Sequence, residues 1–385
     1  MQFSKRLDRF GSEVFAALKE LRMQREAQGL PVFDLSIGTP DFVPPAHLVE
    51  AYAQAAQDPE CWKYAIVDTP EMLDAVCAYY ERRFGVRITP DMVCSAHGTQ
   101  EGMGILALAL ADEGDTVLVP DPCYPVFQNA VLLAGATPWY YPLSEETGFV
   151  PRVSDIPPEV ADAARYMVVS LPANPVGSVG TPELYRELVA FGRAHDLLIV
   201  HDNAYSDIIY DGVEGGSFLA FEGAREVGVE FFSLSKSFNV TGLRISYLVG
   251  RPDVIAAFKK LHSQIDFGMP LPEQRVAIAA LTGPLASVRE QRAAYQERRD
   301  ALCDGLVAAG WERPNAQGTM FVWAKLPHGR NDSVAFALEL MERCGVIVTP
   351  GASFGPHGEG YVRFALVRPP EELRQICTAI ARSGL

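Results

Sequence analysis

Lys236 stands in the stretch SLSKSFNVTGLRISY, Ser233 to Tyr247, just after two phenylalanines and eight residues before Arg244. Phe231, Phe232, Leu234, Phe238, Val240, Leu243 and Ile245 draw this stretch towards a core. A buried ammonium loses hydration and its pKa falls, which suits a lysine flanked by serine hydroxyls to nucleophilic chemistry. Three other stretches carry groups of similar promise. After MVCSA come His97, Gly98, Thr99 and Gln100, then EGMGILALAL: a strand, a glycine turn and a helix start, where backbone N–H groups and the helix dipole hold an anion. LLIVHDNAYSD closes an apolar run with Asp202, and Tyr205 follows three residues on; a carboxylate there needs a cationic or donor partner. SLPANPVG closes another run with Asn174 before a Pro and Gly turn. Each has an ordinary structural use when taken singly, since Gly and Thr cap helices, Asp caps an N-terminus and Asn opens turns. Taken together they match one ligand. Pyridoxal phosphate carries a phosphate, a pyridine nitrogen needing a carboxylate, a phenolic oxygen needing donors and an aldehyde needing an amine.

The elements that position these groups are short apolar runs separated by helical patterns. TVLVP (116–120), RYMVVS (165–170), LLIVHD (197–202), FFSLS (231–235) and SYLVG (246–250) read as strands buried on both faces of a parallel sheet. TPELYRELVAFGRAHD reads as a helix between two of them, with Thr181 as N-cap and Pro182 just inside. That alternation means an α/β layer fold, and in open parallel sheets ligands collect beyond the carboxyl ends of the strands. After about residue 285 the texture changes. A long charged helix, SVREQRAAYQERRDALCDGLVAAG, leads to GTMFVWAKLP, another helix and YVRFAL, a smaller α+β unit. At the other end Leu7, Phe10, Val14, Leu18 and Leu21 fall at helical spacing and predict an amphipathic segment.

Composition excludes several classes. The 385 residues, 48% of them apolar, allow two or three domain-sized units of a soluble globule. A net charge of -15 argues against a nucleic-acid surface, which needs clustered Lys and Arg. The start lacks the continuous apolar stretch of a secretory signal, and GILALALA (104–111) is the nearest approach to a membrane span and far too short. Seven scattered cysteines without a CxxC pair suggest neither a zinc site nor a complete disulfide framework; reduced thiols in a cytoplasmic protein fit best.

Across nearly its whole length the chain resembles a fold-type I pyridoxal-phosphate aminotransferase of the class I/II family, closest to the branch containing alanine and LL-diaminopimelate aminotransferases. The resemblance rests on FDLSIGTPDF (33–42), DPCYPVF (121–127), NPVG (174–177), DNAY (202–205), SLSKSFNVTGLR (233–244) and GEGYVRFAL (358–366), in this order and spacing. It implies an aspartate-aminotransferase-like fold: a large domain (46–284) with a mostly parallel seven-stranded sheet flanked by helices, and a smaller α+β domain formed from residues 1–45 and 285–385.

By the same resemblance Lys236 forms the internal aldimine and moves the α-proton as base and acid. Ser233, Arg244, Thr99 and the backbone around Gly98 and Gln100 bind the cofactor phosphate. Asp202 pairs with the ring nitrogen, Asn174 and Tyr205 reach the phenolic oxygen, and Tyr124 stacks on the ring. Arg363 clamps the substrate α-carboxylate, helped by Asn174 and by Gly38, which leaves room for backbone contact. Tyr64, in CWKYAIVD, matches the tyrosine that reaches the neighbouring subunit's phosphate, which implies a homodimer with shared sites. The implied reaction is ping-pong transamination of an alanine-, glutamate- or LL-diaminopimelate-type donor with 2-oxoglutarate or pyruvate; a carbon-sulfur lyase of the same fold is the alternative. Asp68, Thr69, Asp74, Cys123 and Leu243 depart from the family pattern without removing a catalytic group. No second arginine is identified as a partner for a distal substrate carboxylate, Arg275 and Arg330 having no supporting motif, and SQIDFGMPLP (263–272) is the loop expected to shape the side-chain pocket.

Overall fold

The computed structural model describes residues 2–10 and 14–385. Its strands, in chain order, are β1 (Phe33–Asp34), β2 (Val93–His97), β3 (Thr116–Asp121), β4 (Thr137–Pro142), β5 (Ala164–Ser170), β6 (Leu198–Asp202), β7 (Gly228–Ser233), β8 (Ile245–Gly250), β9 (Phe321–Lys325), β10 (Val346–Ile347), β11 (Thr349–Pro350) and β12 (Tyr361–Ala365). Strands β2 to β8 form one seven-stranded sheet in the order β2-β8-β7-β6-β5-β3-β4. Its central strands are buried on both faces, as their uninterrupted Val, Ile and Phe content requires. Helices cover the two faces. Thr181 caps the Pro182–Ala194 helix by accepting from the Leu184 N–H, with Pro182 at the first position.

Three expectations are corrected. SYLVG is a strand, β8, but it runs antiparallel to both neighbours, β2 and β7. FFSLS stops being a strand at Ser233, where the chain turns into a short helix, Leu234–Ser237. The N-terminal amphipathic segment is divided into a 3-10 turn, Lys5–Arg9, and a helix, Val14–Ala27. Leu7 and Phe10 are exposed, whereas Leu18 packs with Met341 and Ile347; residues 11–13 and the Val14 side chain lie outside the described residues. Within the seven-stranded sheet one strand, β4, was not anticipated, and neither were the two-residue strands β1, β10 and β11. The β4 sequence TPWYYP carries two prolines, which a sheet tolerates at an edge, and β4 is the edge strand next to β3.

The C-terminal unit has its own core of Leu302, Leu306, Phe336, Leu340, Phe364 and Ile376, contributed by the helices Ala286–Ala308, Ser333–Cys344 and Pro370–Ser383 and the sheet β11-β12-β9. The N-terminal segment is built into it. β1 pairs in parallel with β10, and the Ala365 N–H donates to the Leu35 carbonyl at 2.8 Å. No helix among the described residues is long and apolar enough to cross a membrane.

Two site-bearing strands, β6 and β7, are locked by a buried polar cluster. Glu230 is fully buried and accepts from Tyr80 Oη at 3.0 Å, Ser217 Oγ at 2.8 Å, the Phe218 N–H at 2.8 Å and His201 Nδ1 at 2.9 Å. His201 is its register partner across the two strands. Glu230→Ala strands these donors without an acceptor, so a loss of about 3–5 kcal/mol is expected in urea unfolding.

Candidate active site

Strands β2, β3, β5, β6 and β7 point the same way, so His97, Asp121, Ser170, Asp202 and Ser233 end at one edge of the sheet. Because β8 runs the other way, its first residue, Ile245, lies at that edge too, paired with His97. That reversal brings Arg244 to Ser233 and Gly98. A cavity of about 1100 Å³ opens there, lined among others by Gly38, Thr99, Gln100, Tyr124, Asn174, Asp202, Tyr205, Ser233, Lys236, Arg244 and Arg363.

One end of the cavity is built for an anion. Gly98 caps the Thr99–Leu110 helix with φ +83°, and any Cβ there would run into the Arg244 guanidinium. Only glycine fits on both counts. Arg244 itself holds φ +57° and is steadied by Nη1 donating to the Thr241 carbonyl at 3.0 Å. The Thr99 hydroxyl is buried and has no protein partner, at a helix start whose N–H groups and dipole favour negative charge.

In the middle stand the titrating groups. Lys236 Nζ donates to the Gly38 carbonyl at 2.7 Å. Burial, and then the charges of Arg244 and Arg363, lower its pKa from 10.5 to about 8. Burial also raises the Asp202 carboxyl from 3.8 to about 7, and its Oδ1 is buried without a partner. Both shifts have the same origin, the loss of water around a charge. Tyr205 is buried beside Asp202, and Tyr124 donates to Gln100 Oε1 at 3.1 Å.

At the far end Arg363, on β12, is buried and has only neutral partners. Nη1 donates to Asn174 Oδ1 at 2.8 Å and Nη2 to the Ser36 carbonyl at 2.9 Å, while Nε has no partner. The guanidinium lies 3.9 Å from the Phe321 ring centre and 4.7 Å from that of Phe354. Burial lowers its pKa from 12.5 to about 10. A desolvated cation without an anion is costly, so this end is made for a carboxylate.

Tyr64 is the candidate that the chain does not bring in. It is 79% exposed, meets Phe267 edge-on at 5.2 Å, and does not line the cavity. Of the 263–272 loop, Ile265 lines the cavity. Arg330 is engaged by Glu339 at 2.5 Å, and neither it nor Arg275 lines the cavity. Sequence reasoning missed Ser36, Ser235, Phe321, Thr349 and Phe354, which also line it. Phe321 closes the space beside Gly38, where any Cβ would strike its ring. Ser235, one residue from Lys236, had a local signal in its spacing; the others arrive from distant segments.

The profile of the family "Aminotransferase class I and II" matches residues 31–380. The chain belongs to this family. The LL-diaminopimelate aminotransferase of Dehalococcoides mccartyi is 39% identical, over 97% of each chain. Among solved structures, apo-BacF from Bacillus subtilis has a TM-score of 0.95 at 32% identity, covering 100% of this chain and 99% of its own. A single mutant of Thermus thermophilus aspartate aminotransferase has a TM-score of 0.91 at 30% identity, covering all of both chains. The protein is a pyridoxal 5'-phosphate-dependent aminotransferase with an aspartate-aminotransferase-like fold.

The residues present fit that cofactor. The unpartnered Thr99 hydroxyl and the glycine-only space against Arg244 suit a phosphate, and the unpartnered Asp202 oxygen suits a protonated ring nitrogen. With its pKa raised, Asp202 keeps a proton in the folded chain that the unfolded chain has released between about pH 4 and 7, so it takes stability away as pH rises through that window. Asp202→Asn is therefore expected to stabilise the cofactor-free protein at pH 8 by about 1–3 kcal/mol, a gain that fades at pH 4, while weakening retention of the cofactor. Urea unfolding at the two pH values and a dialysis measurement of bound cofactor check this.

Proposed function

We propose that the cavity exchanges an amino group between an L-amino acid and a 2-oxo acid by a ping-pong route in which Lys236 moves the proton and Arg363 holds the substrate. The buried Arg363 guanidinium, facing the same cavity as Lys236 with only neutral partners, is the observation that carries this reading. When bound, pyridoxal phosphate supplies an aldehyde for the amine and a ring that takes up the electrons left at the α-carbon.

The chain's own residues do the rest. Gly98, Thr99, Gln100, Ser233 and Arg244 would hold the phosphate, and the Asp202 carboxylate would pair with the ring nitrogen and favour its protonated form. Asn174 spends its Oδ1 on Arg363, which leaves its Nδ2 to donate, with the Tyr205 hydroxyl, to the phenolic oxygen. Tyr124, which lines the cavity, would stack on the ring. Arg363 takes the α-carboxylate through its two terminal nitrogens, a geometry that lysine cannot reproduce. With a pKa of about 8, Lys236 has a neutral fraction near neutral pH, so it accepts a proton from the substrate α-carbon and hands it on.

The exposed Tyr64 fits a role at the partner's phosphate in a cytoplasmic homodimer. The pairing of β1 with β10 supports the division into a large domain (46–284) and a small one made of 1–45 and 285–385. Alanine, glutamate and LL-diaminopimelate are the proposed donors, with 2-oxoglutarate or pyruvate as acceptor. The name carried by the Dehalococcoides relative supports the third donor.

A half-reaction screen tests this: cofactor-loaded protein receives each donor without an acceptor, and the visible absorbance is followed. Bleaching by one of the three, reversed by pyruvate or 2-oxoglutarate, is the expected result; ammonia release without an acceptor, or bleaching by none, overturns it. Lys236→Ala is expected to abolish turnover while the protein still binds cofactor. Arg363→Lys should lower kcat/KM by about a hundredfold, the cost of losing one desolvated two-pronged contact.

A further inference from the structure

One face of the Ala286–Ala308 helix reaches three parts of the site. Gln291, Tyr295 and Arg298 follow at intervals of four and three residues, so they share that face, and all three are buried. Gln291 Nε2 donates to the Lys236 carbonyl at 2.8 Å, and its Oε1 accepts from Asn239 Nδ2 at 3.0 Å. Arg298 grips Asp41 with both terminal nitrogens, at 2.6 and 2.9 Å, and donates to the Leu366 carbonyl at 2.8 Å, just past the strand that carries Arg363. Its guanidinium lies 4.3 Å from the Phe42 ring centre, and Phe42 meets Tyr295 edge-on at 5.0 Å.

Asp41 and Phe42 belong to the irregular segment that borders the cavity through Ser36, Ile37, Gly38 and Thr39. This segment supplies the Ser36 carbonyl to Arg363 and the Gly38 carbonyl to Lys236. Among the described residues, no backbone N–H from Ile37 to Val43 donates to a protein acceptor. Ile37 and Val43 are exposed. The segment is therefore held by side chains, and the two-pronged ion pair is the strongest of them.

We propose that the Asp41–Arg298 pair is a latch that holds the 37–43 segment closed over the cavity, making Asp41 and Arg298 positioning residues for substrate binding. Unlatched, the segment orders only when substrate arrives, and each backbone residue fixed at that moment costs binding free energy. The groups that act on bound substrate stay where they are. Binding weakens; the step that follows does not.

The proposal rests on the reading that Lys236 and Arg363 meet the substrate, and two measurements on the cofactor-loaded enzyme keep it separable from that reading. The first is the rate of chymotryptic cleavage after Phe42, read by mass spectrometry. The second is the donor half-reaction, resolved into half-saturation and limiting rate constant. For Asp41→Asn, cleavage about tenfold faster is expected, with half-saturation raised about tenfold, roughly the ordering of one residue, and the rate constant within about twofold. Arg298→Lys keeps the charge, loses the fork and should fall between. Unchanged cleavage in Asp41→Asn, or a loss confined to the rate constant, overturns the latch whether or not Arg298→Lys folds. Should the parent react with no donor, the transamination reading fails while the cleavage rates still decide the latch.

Discussion

Three cationic side chains, Lys236, Arg244 and Arg363, face one cavity with two carboxylates: Glu101, which accepts from the His97 N–H and lies 3.2 Å from His262, and Asp202, which burial has pushed towards neutrality. Left to itself this is an expensive arrangement, because desolvation and like-charge repulsion act together. The chain tolerates it by surrounding each cation with neutral oxygen: the Gly38 carbonyl for Lys236, the Thr241 carbonyl for Arg244, Asn174 and the Ser36 carbonyl for Arg363. None of these cancels the charge. The excess is available to a phosphate at one end and a carboxylate at the other, with the lysine between them held at a pKa of about 8.

Keeping the cations at one edge of the sheet depends on the direction of β8. Were β8 parallel to β7, Arg244 would start at the opposite edge, far from Ser233. The sequence contained the clue that it is not. Eleven residues separate Ser233 from Ile245, fewer than a parallel crossover needs, and an antiparallel return fits that length. The apolar run alone says buried, since burial on both faces erases the alternation that would separate the two cases. Direction had to be read from the connection.

What was legible was local. Gly98 with Thr99, Asp202 with Tyr205, and Lys236 between Ser233 and Arg244 are each packed into a few residues at a strand end, where ligand chemistry concentrates. What was not legible is long-range. Arg363 meets Ser36 across 327 positions, and Phe321 shares the cavity with Gly38 from the other end of the chain, so no spacing announces either contact. Edge strand β4 was hidden for another reason: its two prolines contradict the pattern of a strand that pairs on both sides.

Strand β6 shows how the sheet keeps stability and chemistry apart. Successive side chains on a strand point to opposite faces, so His201 and Asp202 belong to different environments although they are neighbours. His201 turns to Glu230 and its Tyr80 and Ser217 donors, where every carboxylate oxygen is satisfied. Asp202 turns to the cavity, where one oxygen is left without a partner. The His201–Glu230 contact ties the register of β6 to β7, and that register fixes the distance between Asp202 and the Ser233–Lys236 segment. An unsatisfied carboxylate can therefore persist at the site because the adjacent residue, one peptide away, anchors the strand.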